Sequence, residues 1–241
     1  MITAARALDT QARKIRADRI MDAAAELLLR WGYKRVTIDD VAAHAGIGKG
    51  TVYLHWRTRE ELFYAVILRE QLGAIDEFLE AVRRDPRECL LHRFVRMKFL
   101  SGLRRPLIRA AMAADPEIIG RLGSEKSSDL GKLMGVISGE YFELLAAHGL
   151  VRSDISMPEL QYGVGAATIG FFTGDAFLAA FDMRLSVERK ADMLESVLER
   201  TFCLPATAEA LRAITPPMVD ILQRSRQLCM EFIQRAYEAR S

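Results

Sequence analysis

A chain of 241 residues, 50% hydrophobic and with a formal net charge of +2, can bury a substantial core in one or two domains. It has no run of about 18 apolar residues, and the charges from Arg6 to Arg16 leave no apolar signal segment. Both features argue against a membrane span or a secreted precursor and lead us to expect a soluble, cytoplasmic protein. The isolated thiols Cys89, Cys203 and Cys229 lack paired metal-ligand spacing, which argues against a zinc site or disulfide framework and for buried, inert cysteines.

Charge is uneven along the chain. Residues 1–60 hold 11 Lys/Arg against 7 Asp/Glu, or +4, and the remainder holds 23 against 25, or −2, so the excess of cations lies at the N-terminal end. Residues 1–13 are expected to form a flexible arm. Ile20, Ala24, Leu27, Leu28 and Trp31 then recur at helical spacing up to Gly32. Thr37 is placed to cap a second helix, with Asp39 and Asp40 at its positive end, and Ile38, Val41, Ala42 and Ala45 form its apolar face. Gly46 suits the φ > 0 position that ends a helix. A short third helix follows from Gly48, with Val52 and Trp56 packing inward and Lys49, Thr51, Tyr53, Leu54 and His55 left for the other face. Thr58-Arg59-Glu60-Glu61 has the spacing of a capping box and starts a fourth helix.

Two short helices with a Gly turn, joined to a capped third, have the build of a DNA-reading helix-turn-helix. The stretch Gly-Ile-Gly-Lys-Gly-Thr-Val-Tyr-Leu-His-Trp-Arg-Thr-Arg-Glu-Glu-Leu-Phe resembles the signature of the TetR (tetracycline-repressor-type) family of bacterial regulators, and the likeness extends over about residues 14–68. The resemblance implies a DNA-binding domain over 14–60 in which Thr37, Lys49, Tyr53, His55 and Arg59 contact the DNA backbone. It also implies that Gly50 permits close approach and that Thr51 lies near base edges. Gly48 stands where the family often has Ser, leaving a bare N–H at the helix start. Leu54 replaces a commonly polar residue and either meets a thymine methyl or packs inward. Against these roles stand plainer ones: Tyr53 as a core-edge aromatic, His55, Lys49 and Arg59 as surface residues, and Thr37 as a cap alone.

Beyond Glu61 the pattern is helical throughout, so the fold class is all-α. Leu62, Val66, Leu68, Leu72, Ile75 and Leu79 predict a long helix reaching Asp85-Pro86, able to couple the two ends of the molecule. Further helices are predicted over 87–102, 104–113, 116–122, 126–149, 157–182 and 186–203. Residues 61–204 would then form a helical body. Within 157–182, Gly163, Gly165, Gly170 and Gly174 alternate with Phe171, Phe172, Phe177 and Phe181; small residues allow close helix approach. The family resemblance places a dimeric four-helix bundle at about 157–204, with tight packing inside one subunit as the alternative. Residues 205–241 form an extension, interrupted at Pro216-Pro217, expected to pack on the body or on the dimer interface.

The resemblance also implies an effector cavity in the body, for which Phe94, Met97, Met112, Met134, Ile137, Phe142, Tyr162 and Phe171 are candidate walls, with Leu100 and Leu133 beside them. The run Arg93, Arg96, Lys98, Arg104, Arg105, Arg109 is either an attraction for an anionic effector or a solvated helical face. The expectation is a homodimeric, one-component transcriptional repressor. It would bind double-stranded palindromic operator DNA, be released by a small apolar effector, and need no metal or cofactor. An enzyme is the weaker rival, since His44, His55, His92 and His148 are far apart and no nucleophile or phosphate-loop motif occurs. The other rival is a helical effector- or partner-binding protein with weakened DNA contact, suggested by Gly48 and Leu54.

Overall fold

The structure is a computed structural model that describes residues 2–109, 128–235 and 237. Among these residues there is no strand; Val151 and Cys203 form an isolated antiparallel bridge. The helices are α1 (Ile2–Trp31), α2 (Ile38–His44), α3 (Lys49–Tyr53), α4 (Arg59–Arg84), α5 (Leu91–Arg104), α6 (Ser128–Ala147), α7 (Met157–Thr173), α8 (Asp175–Leu178), α9 (Val187–Phe202) and α10 (Ala208–Arg235). Short 3-10 turns at Pro86–Cys89 and Ala179–Phe181 complete the described elements. None of the described helices is long and apolar enough to cross a membrane.

The chain divides into two compact units. The first is built on Met1–Gly73 and takes in Gln227–Ser241; the second comprises Ala74–Arg105 and Lys132–Arg226. The boundary expected near residue 60 therefore falls inside α4.

In the first unit, α1 buries Ala17, Ile20, Met21, Ala24, Leu27 and Leu28 and stops at Gly32, whose φ of 78° suits a residue without Cβ. The expected arm at 1–13 is instead the start of this helix. Residues 2–14 contain Ala, Arg, Leu, Gln and Lys with neither Gly nor Pro, so nothing in them ends a helix that the buried stripe downstream already nucleates. Val36, Ile38, Val41, Val52, Trp56, Leu62 and Phe63 form the rest of the core, with Tyr33 edge-on to Phe63 at 5.4 Å between ring centroids.

The end of α10 belongs to this same unit. Cys229 and Ile233 are buried, Phe232 meets Tyr64 edge-on at 5.3 Å, and Tyr237 donates its hydroxyl to Asp18 at 2.8 Å while Lys14 lies over its ring. The extension thus differs from the expectation for 205–241: its residues up to Arg226 join the second unit and those from Gln227 the first. Nor do Pro216 and Pro217 interrupt it. The two prolines remove the N–H groups that would bond Arg212 and Ala213, yet the helix persists because Ile214, Met218, Ile221 and Leu222 are all buried on one face.

The second unit packs α5 on α9, where Arg96 donates to Asp192 at 2.7 Å and pairs with Glu195 at 3.1 Å. The Tyr141 hydroxyl on α6 donates to the Cys89 carbonyl at 3.0 Å, and Arg226 binds Asp76 at 2.7 Å. Ser156 and Glu159 form a capping box that starts α7. α7 is shorter than the helix expected over 157–182: it ends at Thr173, and α8 and the 3-10 turn follow Gly174 as separate short elements. A Cβ at Gly163 would stand 2.6 Å from the Phe202 ring, so this glycine is needed for packing within the subunit; Gly165 and Gly170 have open space instead.

Candidate nucleic-acid interface

The reading head is assembled from capping interactions. The Thr37 hydroxyl accepts from the Asp40 N–H at 3.2 Å, and Asp40 accepts from both the N–H and the hydroxyl of Thr37 at 2.9 and 2.7 Å. These bonds hold the Asp40 carboxyl below its usual pKa. Gly46, at φ 63°, donates to Ala43, and the Ile47 N–H donates to Ala42 at 3.0 Å, so the last carbonyls of α2 are satisfied as the chain turns. Gly48 caps α3 without a side chain. At the far side, the Glu61 N–H donates to the Thr58 hydroxyl at 3.0 Å and Glu61 accepts from the Arg57 N–H at 2.7 Å, starting α4.

With Val52 and Trp56 buried, α3 presents Lys49, Gly50, Tyr53 and Leu54 outward and Thr51 at the margin. Leu54 is 61% exposed and Tyr53 44%, which decides the open alternative for Leu54 in favour of the outer face. Lys49 is tied to Asp39 at 2.8 Å, a hydrogen bond that raises its pKa. Thr37 is exposed beside them, its hydroxyl engaged with Asp40.

Two expected contact residues lie elsewhere. His55 is only 2% exposed and its ring lies 5.4 Å from that of Trp56, so it belongs to the core and not to the outer face. The spacing carried the signal: His55 follows Val52 by three residues and so shares its buried side. Arg59 is held internally, its guanidinium over the Tyr33 and Phe63 rings at 5.0 and 5.6 Å and donating to the Val36 carbonyl at 3.2 Å. Arg13, absent from the expected set, donates from Nη2 to the Leu54 carbonyl at 3.1 Å and secures the C-terminal end of the recognition segment. Reading 1–13 as an arm concealed it.

In the body, Phe94 and Ile137 are buried, and Met97, Phe142 and Phe171 are half-buried. Tyr162 is 79% exposed on the outer side of α7, which removes it from any enclosed site. Met112 lies outside the described residues, as does the side chain of Met134. The basic run is largely neutralised: Arg93 pairs with Glu88 and Asp85, Arg96 with Asp192 and Glu195, and Arg105 with Glu77. Burial pushes the thiols of Cys89, Cys203 and Cys229 up to about 11, so they remain protonated and unreactive at neutral pH. No group of three His, Cys, Asp or Glu able to hold a metal occurs among the described residues.

A turn between two short helices, with Val52 and Trp56 buried and the opposite face of the second left open, joined to a body that is helical among the described residues, defines a helix-turn-helix protein. Residues 20–66 match the family described as bacterial regulatory proteins, tetR family. An uncharacterised HTH-type transcriptional regulator of Bacillus subtilis, YhgD, is 39% identical over 64 residues, 25% of this chain and 34% of that protein. The fatty acid metabolism regulator protein of the same organism is 30% identical over 69 residues, 29% of this chain and 34% of that protein. The chain therefore matches about a third of the length of these curated relatives. SmeT, the repressor of the Stenotrophomonas maltophilia multidrug efflux pump SmeDEF, shares the fold, with a TM-score of 0.56 at 18% identity over 82% of this chain and 94% of its own.

Proposed function

We propose that this chain is a one-component, sequence-specific transcriptional regulator, a repressor that a small, largely apolar effector releases from a palindromic operator. The observation that carries the reading is the outer face of α3, where Lys49, Tyr53 and Leu54 are exposed beside an exposed Gly50. A cation, a phenol and an apolar tip suit phosphate oxygens and a thymine methyl, and Gly50 lets the backbone approach the duplex. Thr37 and Gly48, both exposed, complete the contact surface, and Thr51 reaches base edges. On DNA, Lys49 exchanges Asp39 for a phosphate.

Half-site reading requires a twofold partner. Tyr162 and Ile169 on α7, Phe177 and Phe181 in the segment after it, and Met193 and Val197 on α9 are large apolar residues exposed in the single chain, and a second copy would bury them. Effector binding in the body biases the position of α4, which begins at the reading head, and so the separation of the two heads.

The test is binding of the purified protein to its own promoter region across a salt series. Sequence-selective affinity that falls with salt, and falls further in Lys49→Ala and Tyr53→Ala while folding is retained, supports the reading. A Tyr162→Asp/Phe181→Asp variant should be monomeric by light scattering. The internal employment of Arg59 and His55 favours the second reading, an effector-binding protein with weakened DNA contact; absence of selective binding by the intact dimer would establish it.

A further inference from the structure

Helix α1 is held along two of its faces. Arg13 donates to the Leu54 carbonyl at 3.1 Å, at the end of α3. Lys14, Asp18 and Asp22 recur every four residues and share another face, turned away from that of Arg13. On that face the Tyr237 hydroxyl donates to Asp18 at 2.8 Å, the Lys14 ammonium lies 5.9 Å from the centroid of the Tyr237 ring, and Arg69 of α4 pairs with Asp22 at 2.8 Å. Before Tyr237 in the chain, Phe232 meets Tyr64 of α4 edge-on at 5.3 Å, and Cys229 and Ile233 are buried. The C-terminal end of α10 therefore bridges α1 and α4 within the first unit.

The bridge is not needed to form the helix-turn-helix, whose caps and turn close among residues 37–61. It bears instead on how α3 is held. With five residues and no side-chain cap, α3 is too short to keep its place by helix propensity, so its neighbours set its position. We propose that the end of α10 is a strap on the reading head: Tyr237, by fixing Asp18, holds α1 in the rotation that puts Arg13 on the Leu54 carbonyl. Tyr237 is then a positioning residue for DNA binding. The assignment rests on the reading of this chain as a DNA-binding regulator and adds a C-terminal element that sets the affinity of the head. Docking the strap costs little ordering entropy, because α10 is already anchored upstream by buried Ile214, Met218, Ile221 and Leu222 and by the pairing of Arg224 with Glu140 on α6. Loss of the Tyr237 hydroxyl costs little stability in turn, since Asp18 is only half-buried and takes water in its place. What the head loses is the hold on the start of α1, which carries Arg13.

The test is a set of mutant cycles on the full-length protein with two readouts. One is affinity for its own promoter region by fluorescence anisotropy; the other, without DNA, is hydrogen exchange at the amides of Leu54, His55 and Trp56, which are bonded to Gly50 and Val52. Tyr237→Phe and Asp18→Ala should each weaken binding by about fivefold, weaken it no further when combined, and quicken exchange at the three amides. Asp18→Asn keeps an acceptor for the hydroxyl and should behave as wild type. In an Arg13→Met background, Tyr237→Phe should have no further effect. Ile214→Val, a mild core change on the same helix in the second unit, is the control and should move neither readout. Unchanged exchange in Tyr237→Phe, full affinity despite faster exchange, or losses that add to those of Arg13→Met overturn the strap. An equal response in Ile214→Val does so too, because lost stability then explains both readouts. A wild-type protein that binds no DNA selectively overturns the regulator reading, and exchange in the same variants then decides the strap by itself.

Discussion

The Arg13 guanidinium donates to the carbonyl of Leu54 at 3.1 Å, so a residue of the first helix fixes the C-terminal end of α3. The last carbonyls of a helix lack intrahelical donors, and a cation there also opposes the negative end of the dipole. Arg13→Met keeps the apolar stem and removes the donor. We expect a loss of about 0.5–1.5 kcal/mol in stability by denaturant melts, with a loss of operator affinity in fluorescence anisotropy larger than the stability loss explains. Unchanged operator affinity would show that the end of α3 is held without it.

Leu54 and His55 are neighbours with opposite surroundings, one 61% and the other 2% exposed. Leu54→Ala should leave the melting temperature near that of wild type and weaken or broaden operator recognition by a few-fold, about 1 kcal/mol if it meets a thymine methyl. His55→Ala should behave in reverse, destabilising by about 1–3 kcal/mol while the folded fraction still binds DNA. Selection of binding sequences from a random pool separates the two variants, since only Leu54→Ala should alter the preferred bases.

Ile233 lies near the C-terminus and is buried in the unit that contains the reading head. Ile233→Ala should cost about 2–4 kcal/mol. Because Phe232 and Tyr237 flank it and meet Tyr64 and Asp18, hydrogen exchange should quicken in α1 and the start of α4. Exchange confined to the tail itself would mean that the extension contributes nothing to the head.

His92 supplies a pH dependence. Burial lowers its pKa below the ordinary 6.5, against the pull of Glu199, and its Nδ1 has no hydrogen-bond partner among the described residues. The folded protein prefers the neutral ring, so its contribution is complete above pH 6.5 and declines as the pH falls toward the lowered folded value, where the unfolded chain binds the proton more readily. Melts of His92→Gln between pH 6.5 and about 5 should show a shallower loss of melting temperature than wild type. An identical slope would assign the acid sensitivity to other groups.

The local elements of the reading head were legible because each is written in adjacent residues. Thr37 with Asp40, Gly46 after Ala45, and Thr58 with Glu61 are interactions within four residues, set by backbone geometry and independent of the remainder of the fold. The all-α class and the inward face of Val52 and Trp56 followed from periodicity in the same way. What the sequence alone determined is therefore the helix-turn-helix and the family that residues 20–66 match.

Tertiary structure decided which side chains of that motif remain available. Arg59 and Lys49 look alike in sequence, yet one is spent on Tyr33 and Val36 and the other rests on an exposed Asp39. Arg13 and Phe232 acquire their surroundings from residues tens of positions distant or more, and Pro216-Pro217 survives inside α10 because burial of a whole apolar face outweighs two missing backbone bonds. Long-range packing is a property of the assembled core, and no short window of residues specifies it.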